Sequence, residues 1–272
     1  MRGFLLLLIA AATSLRGADI RVLSHEAVAA FGGSTRLIKV AAQNRAQVSA
    51  ELDVGWQLLQ TSSAVAAPVS AVRPWKHLTL SANQMVIDEI SVPLPSVKME
   101  SRFLVRFLRD KEVLGLAEIW VYPPNLLYEL NDLLKGTEVF LRGPSELWKK
   151  ALAEAGIHYV ETADQTTIPQ RARLAIFGPN TDSSMEATEL EAAAAWAKAG
   201  IGVVLLKSMP TPDAATEPSY YVLNTSDTAI VVGQSNALTN LPADPWAQLR
   251  LLKMAKLAIR CKGHGTNQNE NP

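Results

Sequence analysis

In 272 residues, 26 Lys and Arg balance 26 Asp and Glu. A broad basic surface is therefore not expected, which argues against nucleic acid as a partner. One cysteine, Cys261, leaves no internal disulfide framework and no multi-cysteine zinc or iron–sulfur site.

Met1-Arg2-Gly3 sets one positive charge ahead of a short apolar run, Phe4 to Ala12, and small residues follow through Ser14, Gly17 and Ala18. That order is the layout of a secretory signal peptide, assigned to residues 1–18 with cleavage between positions 12 and 18. The run is shorter than the roughly 20 apolar residues that span a bilayer, and no cysteine stands near it to carry a lipid. The mature protein is expected to be secreted or periplasmic, with no membrane span. Loss of Arg2 and Arg16 leaves it slightly acidic.

Residues 19–122 read as strands and turns. Ile20-Arg21-Val22-Leu23 opens, and His25 to Phe31 fits a short helix or an irregular crossing. Arg36 to Val40 follows the Gly32-Gly33-Ser34 turn, and Glu51 to Leu58 alternates apolar and polar residues as a half-buried strand does. His77 to Leu80, Met85 to Val92 and Ser101 to Leu108 continue the pattern, and the charged turn Asp110-Lys111-Glu112 leads into Val113 to Tyr122. About seven short alternating strands must bury one face against another sheet, so an antiparallel β-sandwich is predicted.

Pro123-Pro124 ends the last strand as a stiff linker. Across residues 125–260 the periodicity becomes that of an α/β domain. Helices are predicted at 126–134, 145–155, 185–199 and 245–259. Strands are predicted at 137–141, 158–161, 172–177, 202–206, 220–223 and 229–232. Gly156 and Gly200 suit helix stops. Continuous apolar strands between helices imply a mostly parallel sheet covered on both faces, three layers in all. Residues 261–272 are polar and read as a disordered tail.

Ligands of open parallel sheets sit beyond the carboxyl ends of the strands. Candidate crevice residues are therefore Gly143, Asn180, Asp182, Lys207, Gln234 and Ser235. Such residues also turn chains and cap helices, as Ser145, Ser183 and Ser184 would. Gly233-Gln234-Ser235-Asn236-Ala237 approaches a nucleophile elbow, but Ala replaces the second glycine and Leu241 to Pro245 delays the helix. Neither His158 nor His264 is an evident base for it. Cys261, flanked by Arg260 and Lys262, lacks a framework for a reactive thiolate. His25, His77, His158 and His264 show no metal-ligand spacing, and no glycine-rich phosphate loop occurs. Neither catalytic residues, nor a metal, nor a cofactor is assigned. Asn224-Thr225-Ser226 matches a glycosylation sequon. Trp56 and Trp120 are expected in the sandwich core, and Trp148, Trp196 and Trp246 on packed helices. Trp75, in Arg73-Pro74-Trp75-Lys76, reads as a loop residue and the candidate sugar-stacking ring.

Gly55-Trp56-Gln57-Leu58, Leu80 to Gln84, Ser91 to Pro95 and Glu118 to Pro123 together resemble the immunoglobulin-like accessory sandwiches of β-galactosidase-type, family two glycoside hydrolases. The second half looks like the flavodoxin-like or class I glutamine amidotransferase-like domain that can follow such a sandwich. The resemblance covers about residues 20–260. No room exists for the (β/α)8 barrel, roughly 250 residues, that carries the hydrolase carboxylates. The loop after Leu206 reads Lys207-Ser208-Met209-Pro210, without the amidotransferase cysteine. The resemblance thus implies an accessory module that binds a glycan or a glycoside hydrolase partner. A small hydrolase using Ser235 or Asp182, and a structural interaction platform, are the alternatives.

Overall fold

The computed structural model describes residues 20–23, 28–62, 65–143, 146–161, 171–178, 186–207, 220–224, 228–235, 238 and 240–261. The segment read as a signal peptide and residues 262–272 of the tail lie outside them, as do Asn180 and Asp182. Two compact units emerge. One comprises Met1–Val28, Thr35–Pro93 and Ser101–Trp120, the other Ala29–Ser34, Leu94–Glu100 and Val121–Pro272. Antiparallel and parallel sheets are both present, with four helices among the described residues.

Nine strands run from the first described residue to Tyr122: β1 (Ile20–Leu23), β2 (Val28–Phe31), β3 (Thr35–Asn44), β4 (Ala50–Thr61), β5 (Ala66–Pro68), β6 (Arg73–Leu80), β7 (Met85–Pro93), β8 (Ser101–Arg109) and β9 (Glu112–Tyr122). One sheet has the order β1-β3-β7; the other has β2-β9-β8-β4-β5, with β6 also on β4. β3 pairs antiparallel with β1 and β7, and β4 does so with β5, β6 and β8. Alternation decides which side chains go inside: Leu52, Val54, Trp56 and Leu58 of β4 are buried, as are Phe103, Val105 and Phe107 of β8. Gly115 is required by close approach, because a Cβ there would lie 1.8 Å from the Val22 carbonyl oxygen of β1. Asn44, fully buried, pins the turn between β3 and β4. Its amide nitrogen donates to the carbonyls of Val48 (2.8 Å) and Ser81 (3.0 Å), and its Oδ1 accepts from Ala46 N–H (3.0 Å).

Three expectations change here. The segment ending at Phe31 is a strand from Val28, not a helix, because β9 offers an edge to pair with. β5, fully exposed and only three residues long, carries no apolar alternation to announce it. β6 begins at Arg73 rather than His77, so Trp75 stands on a strand and not in a loop. Proline is tolerated at Pro74 because the strand pairs only with β4, whose register shifts at Val54/Gly55.

The second unit holds α1 (Tyr128–Leu134), β10 (Glu138–Arg142), α2 (Glu146–Glu154), β11 (Tyr159–Glu161), β12 (Ala172–Phe177), α3 (Glu186–Lys198), β13 (Gly202–Lys207), β14 (Tyr220–Asn224), β15 (Ala229–Gln234) and α4 (Pro245–Cys261). Its sheet has the order β11-β10-β12-β13-β15-β14, parallel except for the antiparallel edge strand β14. Successive strand residues feed opposite cores. Val139, Leu141, Leu174, Ile176, Val204 and Val231 pack with residues of α1, α2 and α4, whereas Phe140, Ala175, Phe177, Val203, Leu205 and Val232 pack with Trp196 and its α3 neighbours. Trp196 meets Phe140 and Phe177 edge-on, with ring centroids 5.4 and 5.7 Å apart. Gly156 and Gly200 adopt φ of +71° and +83° just past α2 and α3, the left-handed geometry of helix stops. Asp244 caps α4, its Oδ1 accepting from Trp246 N–H at 3.0 Å, with Pro245 as the first helical residue. α4 runs through Cys261, so that residue ends a helix and does not open the tail.

Candidate functional site

Strand order decides which of the sequence candidates can act together. β10, β12, β13 and β15 lie side by side and parallel, with Arg142 opposite Phe177, Phe177 opposite Leu205 and Lys207 opposite Gln234. Their carboxyl ends therefore form one edge, about 14 Å across at the usual strand spacing. Gly143, Gly178, Lys207, Gln234 and Ser235 stand along it. β10 leads through α2 to β11 on one side, and the chain then returns to β12 on the other, so the connection reverses direction between β10 and β12. Such a reversal leaves a crevice at the strand ends.

Each edge residue has a local reason to be there. Gly143 adopts φ of +66°, which an L side chain rarely takes, and a Cβ would meet nothing within 4 Å. Gly178 donates its N–H to the Arg142 carbonyl at 2.6 Å, and a Cβ on it would lie 2.7 Å from the carbonyl oxygens of Arg142 and Gly143. Gly178 is not among the sequence candidates; a glycine directly after an apolar strand is the signal for its role in strand spacing. Lys207 and Gln234 are the last residues of β13 and β15, not loop residues, and both are half-buried. Ser235 extends the ladder, its N–H donating to the Lys207 carbonyl at 3.0 Å, and its own carbonyl accepts from Leu238 N–H at 3.0 Å. Buried Leu238 and Leu241 then carry the chain into the core.

That path bears on nucleophilic chemistry. An elbow serine needs a strained turn running straight into a helix, but α4 begins only at Pro245. His158 precedes β11 at the amino edge, the far side of the sheet from Ser235, with its carbonyl accepting from Val139 N–H. His77 belongs to the other unit, where its Nδ1 lies 2.8 Å from Asp53 Oδ1. His25 and His264 are outside the described residues. The described edge thus offers an ammonium, a carboxamide, a hydroxyl and backbone carbonyls, a set suited to hydrogen bonding with a polar ligand.

No protein-family model and no curated protein matches the chain. Among solved structures, the alkylpurine DNA glycosylase of Pseudomonas fluorescens, bound to DNA with an abasic site analogue, is similar over 39% of this chain and 31% of its own, at 18% identity and TM-score 0.31. A β-glucosidase from Listeria innocua in complex with gluconolactone matches over 39% and 16%, at 12% identity and TM-score 0.31. A β-glucosidase from Kluyveromyces marxianus matches over 39% and 14%, at 13% identity and TM-score 0.31. The chain spans less than a third of the length of any of these proteins, and likeness of this degree carries no functional argument.

Trp75 belongs to the other unit. Half-buried, its ring tilts on Phe107 with centroids 5.4 Å apart, and its Nε1–H donates to the Glu89 carbonyl of β7 at 3.3 Å. Lys76 beside it pairs with Asp88. That ammonium first, and then the Glu89 N–H, hold the Asp88 carboxyl below its ordinary value. The indole joins two edge strands of the sandwich. Trp56 is buried as expected, whereas Trp120 is half-buried with the Arg102 guanidinium 5.9 Å above its ring, and Arg102 also reaches Glu118. Among the described residues no group of three potential metal ligands converges, and no helix is long and apolar enough to cross a membrane.

Proposed function

We propose that the chain is an exported, non-catalytic accessory protein of carbohydrate processing that binds a glycan along the carboxyl edge of its parallel sheet. The observation that carries this reading is the adjacency of Lys207, Gln234 and Ser235 at that edge, with no described histidine beside them. Sugar hydroxyls both donate and accept, and a carboxamide beside an ammonium and a hydroxyl can answer both. The order of charge, apolar run and small residues over positions 1–18 supports export. Strand order in the second unit supports a flavodoxin-like domain, and the alternating strands before it support an immunoglobulin-like sandwich. The domains proposed are thus 19–122 and 125–260, joined at Pro123-Pro124.

Retention of residues 19–261 on immobilised polysaccharides tests the proposal. The protein should be held by at least one polysaccharide and released by the free sugar. Lys207→Ala combined with Gln234→Ala should weaken retention about tenfold, the effect of losing one or two hydrogen bonds. Absence of retention on every polysaccharide, equal retention of the double variant, or release of reducing sugar by the purified protein would overturn it.

A further inference from the structure

A half-open groove of about 330 Å³ lies within the second unit, walled by α4, the residues around the start of α1 and the segment Lys98 to Glu100. That size falls at the low end of small-ligand pockets, roughly 300–1,000 Å³. Its apolar floor comes from Leu126, Leu249 and Leu252, and its charges from Lys98, Lys253 and Lys256 against Glu100 and Glu129. Lys256 is committed to Glu129, with Nζ 2.7 Å from Oε2. Lys98 and Lys253 have no ion-pair partner among the described residues, which leaves the groove with surplus positive charge.

Tyr122 adds a donor to the groove. It is 3% exposed and lines the groove, yet its hydroxyl has no hydrogen-bond partner among the described residues. The oxygen itself opens onto the groove, where it can donate to an acceptor. Burial first, and then the Glu100 charge, push this phenol up to about 12, so it stays a donor at neutral pH. A phenol donor, unpaired ammoniums and an apolar floor form an amphipathic site.

We propose that this groove binds a small monocarboxylate with an apolar body. Its carboxylate is received by the Tyr122 hydroxyl and the Lys253 ammonium, and its body lies on Leu126, Leu249 and Leu252. One surplus positive charge in the lining suits a monoanion better than a dianion. Among the described residues no guanidinium lines the groove to grip a phosphate bidentately. This site is separate from the sheet edge and does not depend on glycan binding.

Titration calorimetry of the full mature protein with sodium octanoate tests the proposal, with octan-1-ol as the uncharged counterpart and inorganic phosphate as the apolar-free anion. Octanoate should bind saturably at one site, and the alcohol and phosphate should bind at least about tenfold more weakly. Tyr122→Phe and Lys253→Met should each weaken octanoate about tenfold, as loss of a charge-assisted hydrogen bond does. Tyr122→Phe should leave the melting temperature of the free protein unchanged, since the hydroxyl it removes is unpartnered. No saturable heat with octanoate would overturn the proposal. So would octanol binding as tightly as octanoate, or both variants binding like the parent chain.

Discussion

The two units build their interiors by different rules. In the first, β4 and β8 alternate, so Asp53 and Gln57 point out while Val54 and Trp56 point in. In the second, both faces of β12 and β13 are buried, Leu174 and Ile176 on one side and Ala175 and Phe177 on the other. A half-polar strand can close its edges with ordinary polar contacts, as Trp75, Lys76 and Asp88 do between β6 and β7. A strand buried on both faces has its polar groups displaced to its ends. The difference explains why the candidate ligand groups of the second unit gather at the carboxyl edge, at Lys207, Gln234 and Ser235, while those of the first are spread over a sheet face.

Substitutions that act in one unit alone sharpen this contrast. The largest effect is expected from Gly115→Ala. Its Cβ would fall 1.8 Å from the Val22 carbonyl, where backbone rather than a flexible side chain must give way. A cost of about 3 kcal/mol or more is expected, read as lost hydrogen-exchange protection in β1, β3 and β9. Equal loss in β10 to β15 would break the contrast. Trp196→Ala, which empties the core under α3, should cost about 3 kcal/mol and act on β10, β12 and β13 instead. Asn44→Ala should cost about 2 kcal/mol in urea unfolding, because it orphans the Ala46 N–H and the Val48 and Ser81 carbonyls.

Smallest is Lys76→Met. Asp88 is held below its ordinary value of 3.8 in the folded state, so its contribution is present above that pH and fades as pH falls through the depressed value. The pair is partly exposed, so the variant should lose only about 0.5 kcal/mol at neutral pH and should flatten the dependence of stability on pH below 3.8. A steeper loss would place more weight on the sandwich edge than its exposure allows.

Much of the second unit was readable from local pattern. Continuous apolar runs such as Val203 to Leu206 and the stops at Gly156 and Gly200 are properties of neighbouring residues, and element bounds follow from them closely. The first unit yielded less at its edges. Ala66 to Pro68 buries nothing, and Pro74 hides a strand that tolerates it only because it is at an edge. The candidate site was readable as residue types but not as a site. Lys207 and Gln234 meet only through the pairing of β13 with β15, and strand order is a property of the folded sheet. Tyr122 and Lys253 line one groove from positions too far apart in the chain to form a motif.

Hydrogen exchange with and without a soluble oligosaccharide of the retaining polysaccharide tests the central claim most directly. Added protection is expected at the carboxyl ends of β12, β13 and β15, around Gly178, Lys207 and Ser235, with none in the sandwich strands. Protection confined to β4, β6 or β8 would contradict it and move glycan binding to the sandwich face.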